Sequence, residues 1–158
     1  MNQDTSGSTP PGDREQLETF YRDAILEHSV NPVGFRRDLA ATHQNEQYNP
    51  LCGDRIRLAF VVADGTVEDC SFDGEACAIC MASASMLCEH TSGRDIAEVI
   101  QLQQSLEQAL AGQTETLPVQ ALNALLGVRR YPSRIRCALL PWIAAIKALE
   151  TNTPPDTR

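Results

Sequence analysis

The chain is short of positive charge: 13 Lys and Arg stand against 21 Asp and Glu, a formal net charge of −8. So acidic a sequence excludes the basic stripe that grips a phosphate backbone, and it suits an anionic membrane surface no better. Aromatic residues are scarce as well, at 5%, which argues against stacking of single-stranded bases. No apolar run approaches the roughly 20 residues of a membrane-spanning helix. Neither a nucleic-acid nor a membrane partner is therefore expected. The opening residues, MNQDTSGSTPPGD, have neither the basic nor the apolar stretch of an export signal, so a cytoplasmic setting is expected. Familiar catalytic signatures are missing too. There is no GxGxxG, no GxxxxGK, no HExxH, and no Ser-His-Asp grouping stands out.

What is present is a globular composition and six cysteines. Hydrophobic residues make up 42% and charged residues 22% of 158, enough to bury one core. Residues 1–12 and 151–158 are small, polar and proline-bearing and are expected to be unstructured, leaving one domain over 13–150. Asp13 reads as the cap of a helix whose stripe is Leu17, Phe20, Tyr21, Ala24, Ile25 and His28, ended by Asn31-Pro32. Residues 32–50 read as irregular. Ile56, Leu58, Phe60 and Val62 alternate along a strand, and Asp64-Gly65 is a hairpin signal. The return strand, Thr66–Phe72, needs a bulge because Val67 and Phe72 fall on opposite parities. Helices are expected over Cys77–His90, from Arg94 with Ile96, Val99, Ile100, Leu106 and Leu110 inward, over Pro118–Leu126 to Gly127, and over Cys137–Leu149. The fold class is α+β: a small antiparallel β-sheet packed by helices, with a helical C-terminal half.

A reducing compartment does not sustain a disulfide framework, so metal ligation or thiol chemistry is the stronger reading of the cysteines. Cys52 lies in NPLCGD, on a loop bent by Asn49-Pro50 and freed by Gly53, with Asp54 two residues on. Cys77 falls at a strand-to-helix junction, where the helix N-terminus favours a thiolate. Cys137 precedes Pro141 by four residues, and proline is tolerated in the first turn of a helix, so a helix is expected to begin near Cys137. The spacings are 25 and 60 residues. Three thiols and a carboxylate suit a tetrahedral zinc site, which would carry a formal charge of about −2. Arg129, Arg130, Arg134 and Arg136 crowd before Cys137 as candidate compensating charges.

The other cysteines read as packing. Cys80 and Cys88 share one helix face with Cys77, and Cys70 falls in the return strand. Cys77-x-x-Cys80 has thiol–disulfide spacing but no thioredoxin-like βαβ context. His28 reads as a cap or a partly buried side chain. His43 lies in an irregular polar segment within possible reach of the Cys52 loop.

Three segments, Asn49–Asp54, Phe72–Met86 and Arg134–Trp142, together resemble the U-type iron–sulfur assembly proteins, the SufU/IscU/NifU N-terminal family. Arg136, where scaffold-type members usually carry His, and the long segment between Cys77 and Cys137 place the resemblance nearer SufU. It implies an IscU/SufU-like fold, with Cys52, Asp54, Cys77 and Cys137 as ligands of Zn²⁺. It also implies a sulfurtransferase-type role: persulfide sulfur accepted from a SufS-type, PLP-dependent cysteine desulfurase and passed to the Suf scaffold complex. Cys52, freed from the metal when the desulfurase supplies another ligand, would be the acceptor, with Cys137 as the alternative and Arg136 steadying the thiolates. The alternative reading is an IscU-type scaffold holding iron or a 2Fe–2S cluster on the same ligands.

Overall fold

The computed structural model describes residues 11–151. In order these form α1 (Pro11–Val30), β1 (His43–Asn49), β2 (Asp54–Ala63), β3 (Thr66–Glu75), α2 (Ala78–Thr91), α3 (Ile96–Leu110), a 3₁₀ helix (Gln120–Arg130) and α4 (Pro132–Thr151). The ends expected to be unstructured lie outside the described residues, save Pro11, Gly12 and Thr151, which belong to α1 and α4.

The sheet is an antiparallel meander in the order β1-β2-β3. Ile56, Leu58 and Phe60 alternate along β2 and are fully buried, each contributing about 1.5–3 kcal/mol of apolar transfer. Asp64 and Gly65 take φ of 53° and 75°, the paired positive angles of the tight turn that suits strand twist. The bulge falls at Glu68: Val61 pairs with Asp69 but Val62 with Val67. Skipping one residue turns both Val67 and Phe72 into the core, as their parity required.

β1 corrects one expectation. HQNEQYN has no apolar alternation, yet His43 to Asn49 pair residue for residue with Phe60 to Asp54. Pairing and cover by α4 make this strand, not propensity. His43 is buried at the start of β1, bonded to Thr42 Oγ1 at 2.8 Å. It therefore sits at the opposite end of the strand from the Cys52 loop.

Helix α1 packs against α2 through Tyr21, Ala24 and Ile25. Phe20, expected to face inward, is 65% exposed and stacks on Tyr21 instead; the side chain of Leu17 is not among those described. His28 Nδ1 lies 2.6 Å from the buried Ser85 hydroxyl, which also accepts from the Val33 N–H. At the start of α3, Asp95 and Glu98 form a reciprocal capping box. The segment expected as a short α-helix coils instead as the 3₁₀ helix and runs on past Gly127.

Helix α4 corrects the other boundary. It opens at Pro132, in the first-turn position where a missing N–H costs nothing, so Cys137 sits in its second turn and Pro141 inside it. The buried Ser83 of α2 braces this stretch. Its hydroxyl donates to Ala138 C=O at 2.6 Å and accepts from the indole N–H of Trp142 at 3.1 Å. Trp142 is itself fully buried, within one continuous core that includes Phe60, Phe72 and Leu106.

Candidate metal centre

The β1–β2 connection presents Cys52. Asn49, buried at the end of β1, accepts the Cys52 and Gly53 N–H groups on its carbonyl and the Leu51 N–H on its side chain. That tight loop needs the positive φ of Gly53, 75°. It leaves Cys52 exposed and Leu51 83% exposed beside it. Asp54, first residue of β2, is 2% exposed. Its Oδ1 accepts the Cys77 N–H at 2.9 Å, which ties the head of β2 to the N-cap of α2.

The third donor comes from far along the chain. Cys137, buried on α4, brings its Sγ to 3.6 Å from Cys52 Sγ. One donor atom each from Cys52, Asp54 and Cys137 lies within 4.8 Å of the other two. Cys77 stands just outside that compact group, its thiol interacting with that of Cys137. The residues therefore fit a small cation. Two soft sulfurs converge with a hard oxygen, and Asp54 Oδ2 is buried with no hydrogen-bond partner among the described residues. An unpaired buried carboxylate oxygen is costly unless something positive meets it.

Burial pushes the Cys137 thiol well above the usual thiol range, reinforced by the Cys77 and Cys52 thiols beside it. Without a cation this thiol stays protonated. Cys80, one turn along α2 from the Cys77 cap and fully buried, is also pushed far up, first by burial and then by Asp54.

The charge that faces these sulfurs is Arg134, whose guanidinium is held on its proton by Cys77 and Cys137. Arg136 is exposed and pairs with none of the thiols among the described residues. The helix start explains the difference. With α4 beginning at Pro132, Arg134 and Cys137 stand three apart on one helical face, whereas Arg136 is rotated away. That i, i+3 spacing was the available signal, hidden by placing the helix start at Cys137. The remaining arginines have other partners: Arg129 donates to the Ala109 carbonyl near the end of α3, and Arg130 pairs with Glu18. An open cleft of about 490 Å³ lies alongside, lined by Tyr21, Ile25, Ile79, Val128 and Arg134.

An α+β domain that gathers cysteines and an aspartate from a hairpin loop, a helix cap and a distant helix is thus a candidate metal-binding protein. The NifU-like N terminal domain matches residues 20–138, and the chain belongs to that family. It is 38% identical over 144 residues to the zinc-dependent sulfurtransferase SufU of Bacillus subtilis, covering 89% of this chain and 93% of that protein. It is 33% identical over 141 residues to the iron–sulfur cluster assembly scaffold protein IscU of Thermotoga maritima, covering 88% and 99%. Among solved structures, the SufU of Fervidobacterium islandicum superposes with a TM-score of 0.71 at 28% identity, over 84% of this chain and 98% of that one. The family read from the three segments, and the α+β fold it implied, are those found. Among the described residues no helix is long and apolar enough to cross a membrane.

Proposed function

We propose that this protein is a zinc-dependent sulfur carrier of iron–sulfur cluster assembly. It accepts persulfide sulfur from a SufS-type, PLP-dependent cysteine desulfurase and passes it to the Suf scaffold complex, within a reducing cytoplasm. One observation carries the reading: of six cysteines only Cys52 is exposed, and it stands at 3.6 Å from Cys137 over a buried, unpartnered carboxylate oxygen. An exposed thiol on a hairpin tip can meet a partner's sulfur, and fixed, buried donors behind it can hold a metal when it departs. The relative in B. subtilis, named as a zinc-dependent sulfurtransferase, supports the same reading.

Cys52, Asp54, Cys77 and Cys137 would hold the ion. A zinc ion there would keep the thiols deprotonated while quieting them as nucleophiles. The Cys52 thiolate attacks the outer sulfur of the donor persulfide. The bond between that sulfur and the donor cysteine breaks, the donor leaves as a thiolate, and Cys52 carries the transferred sulfur as its own persulfide. The exchange involves no net oxidation. Cys137, fully buried on a helix, would be the acceptor only if α4 moved. Arg134 would offer its charge to the anionic sulfurs that remain.

A second reading, a scaffold that assembles a 2Fe–2S cluster on the same donors, draws on the Thermotoga maritima relative. Desulfurase turnover tests the first. The protein raises cysteine consumption by the desulfurase, and Cys52→Ala abolishes the rise while the chain stays folded. No rise with the unaltered protein, or a brown protein with acid-labile sulfide after anaerobic purification, overturns it in favour of the scaffold.

A further inference from the structure

Two cysteines outside this centre lie closer together than Cys52 and Cys137 do within it. Cys70 Sγ on β3 and Cys88 Sγ on α2 are 3.0 Å apart, against 3.6 Å for Cys52 and Cys137. Both are free and buried, at 1% and 4% exposure. Asp69 commits both carboxylate oxygens to Arg37, and the same guanidinium donates to the Cys70 carbonyl at 2.9 Å. Arg37 and Asp69 thus neutralise each other beside the pair, and burial holds the Cys88 thiol on its proton.

Gly34 packs directly on the pair. A methyl group built on Gly34 would meet Cys88 Sγ at 3.0 Å and the Cys70 carbonyl oxygen at 3.1 Å. At residue 34, then, only backbone stands over the sulfurs, in a segment whose neighbours Val33, Arg36 and Arg37 are exposed. A disulfide bond measures about 2.05 Å, so the two sulfurs need to close by roughly 1 Å. The loop between them carries Cys77 at its middle, so a bond here would restrain the strand-to-helix joint that presents a candidate ligand.

We propose that Cys70 and Cys88 form a reversible disulfide when the protein meets a hydroperoxide, locking α2 onto β3. The sulfur of one cysteine attacks a peroxide oxygen as its thiol proton leaves. The O–O bond breaks, the leaving oxygen takes that proton, and a sulfenic acid remains. The sulfur of the second cysteine then attacks the first, the S–O bond breaks, and water departs with the second thiol's proton. The two thiols lose two electrons and the peroxide gains them; a thiol reductant reverses the step. Transient bonds of this kind are the form disulfides take in a reducing compartment. The pair shares no residue with the sulfur-transfer centre, so the proposal stands apart from that reading.

The test uses the full chain with added Zn²⁺, treated with hydrogen peroxide, alkylated and digested after Glu. No Lys or Arg lies between Arg57 and Arg94, so trypsin leaves Cys70 and Cys88 on one peptide, whereas cleavage at Glu68, Glu75 and Glu89 separates them. The expected result is a reducible link between peptides 69–75 and 76–89, mapped by fragmentation to Cys88, with a thermal midpoint raised by a few degrees. Cys88→Ala and Cys70→Ala each abolish the link. Should either variant fold poorly, the map of the unaltered protein decides alone. Cys70 and Cys88 still alkylated after peroxide, or a link that runs to Cys77 or Cys80 and persists in Cys88→Ala, overturns the proposal.

Discussion

Asp54 accepts the main-chain N–H of Cys77 on Oδ1 at 2.9 Å while its Oδ2, equally buried, accepts nothing among the described residues. One carboxylate therefore divides its labour: one oxygen joins the head of β2 to the cap of α2, and the other is left without a partner there. The division separates two substitutions. Asp54→Asn keeps an acceptor for Cys77 and leaves stability nearly unchanged, but zinc affinity in a chelator competition falls at least tenfold. Asp54→Ala loses zinc equally and also strands a buried N–H, lowering unfolding free energy by about 1–3 kcal/mol.

Arg134 and Arg136 should part company in metal binding. Arg134 faces Cys77 and Cys137, and its charge would offset the negative charge that three thiolates and a carboxylate gather around one ion. In a chelator competition Arg134→Ala weakens zinc affinity several-fold. Arg136→Ala leaves it as it was.

Alkali should destabilise the metal-free chain. Burial raises the Cys80 and Cys88 thiols above the ordinary value of 9.0, so the folded state retains protons that the unfolded chain gives up. A raised folded pKa confers stability that is intact below about pH 9 and lost as pH climbs beyond it. Urea midpoints taken from pH 7 to 11 check the slope, which Cys80→Ala makes shallower.

The brace between α2 and α4 is also measurable. Ser83→Ala removes the acceptor of the buried Trp142 N–H and the donor to Ala138 C=O. Unfolding by urea should show a loss of about 1–3 kcal/mol, with tryptophan emission altered.

Elements written in apolar periodicity were legible in the sequence. Ile56, Leu58 and Phe60 announced β2, Asp64-Gly65 its turn, and the clashing parity of Val67 and Phe72 the bulge at Glu68. β1 was not legible, because its hydrogen bonds come from β2 and its own residues are polar. The start of α4 was misplaced because Pro141 was taken for a first-turn proline when Pro132 holds that position. The error left Arg134 as one of four candidate charges, since its place beside the thiols depends on being helical. The convergence of Cys52, Asp54 and Cys137 was readable through the family resemblance, since spacings of this length fix no distance by themselves. The meeting of Cys70 with Cys88 required the packing of α2 on β3.

Whether Cys52 receives sulfur is read most plainly by peptide mass mapping. Zinc-loaded protein is incubated with a cysteine desulfurase and cysteine, alkylated without reduction and digested. One added sulfur atom is expected on the Cys52 peptide and none on the Cys137 peptide. Added sulfur on Cys137 with Cys52 unmodified, or on neither, would contradict that role for Cys52.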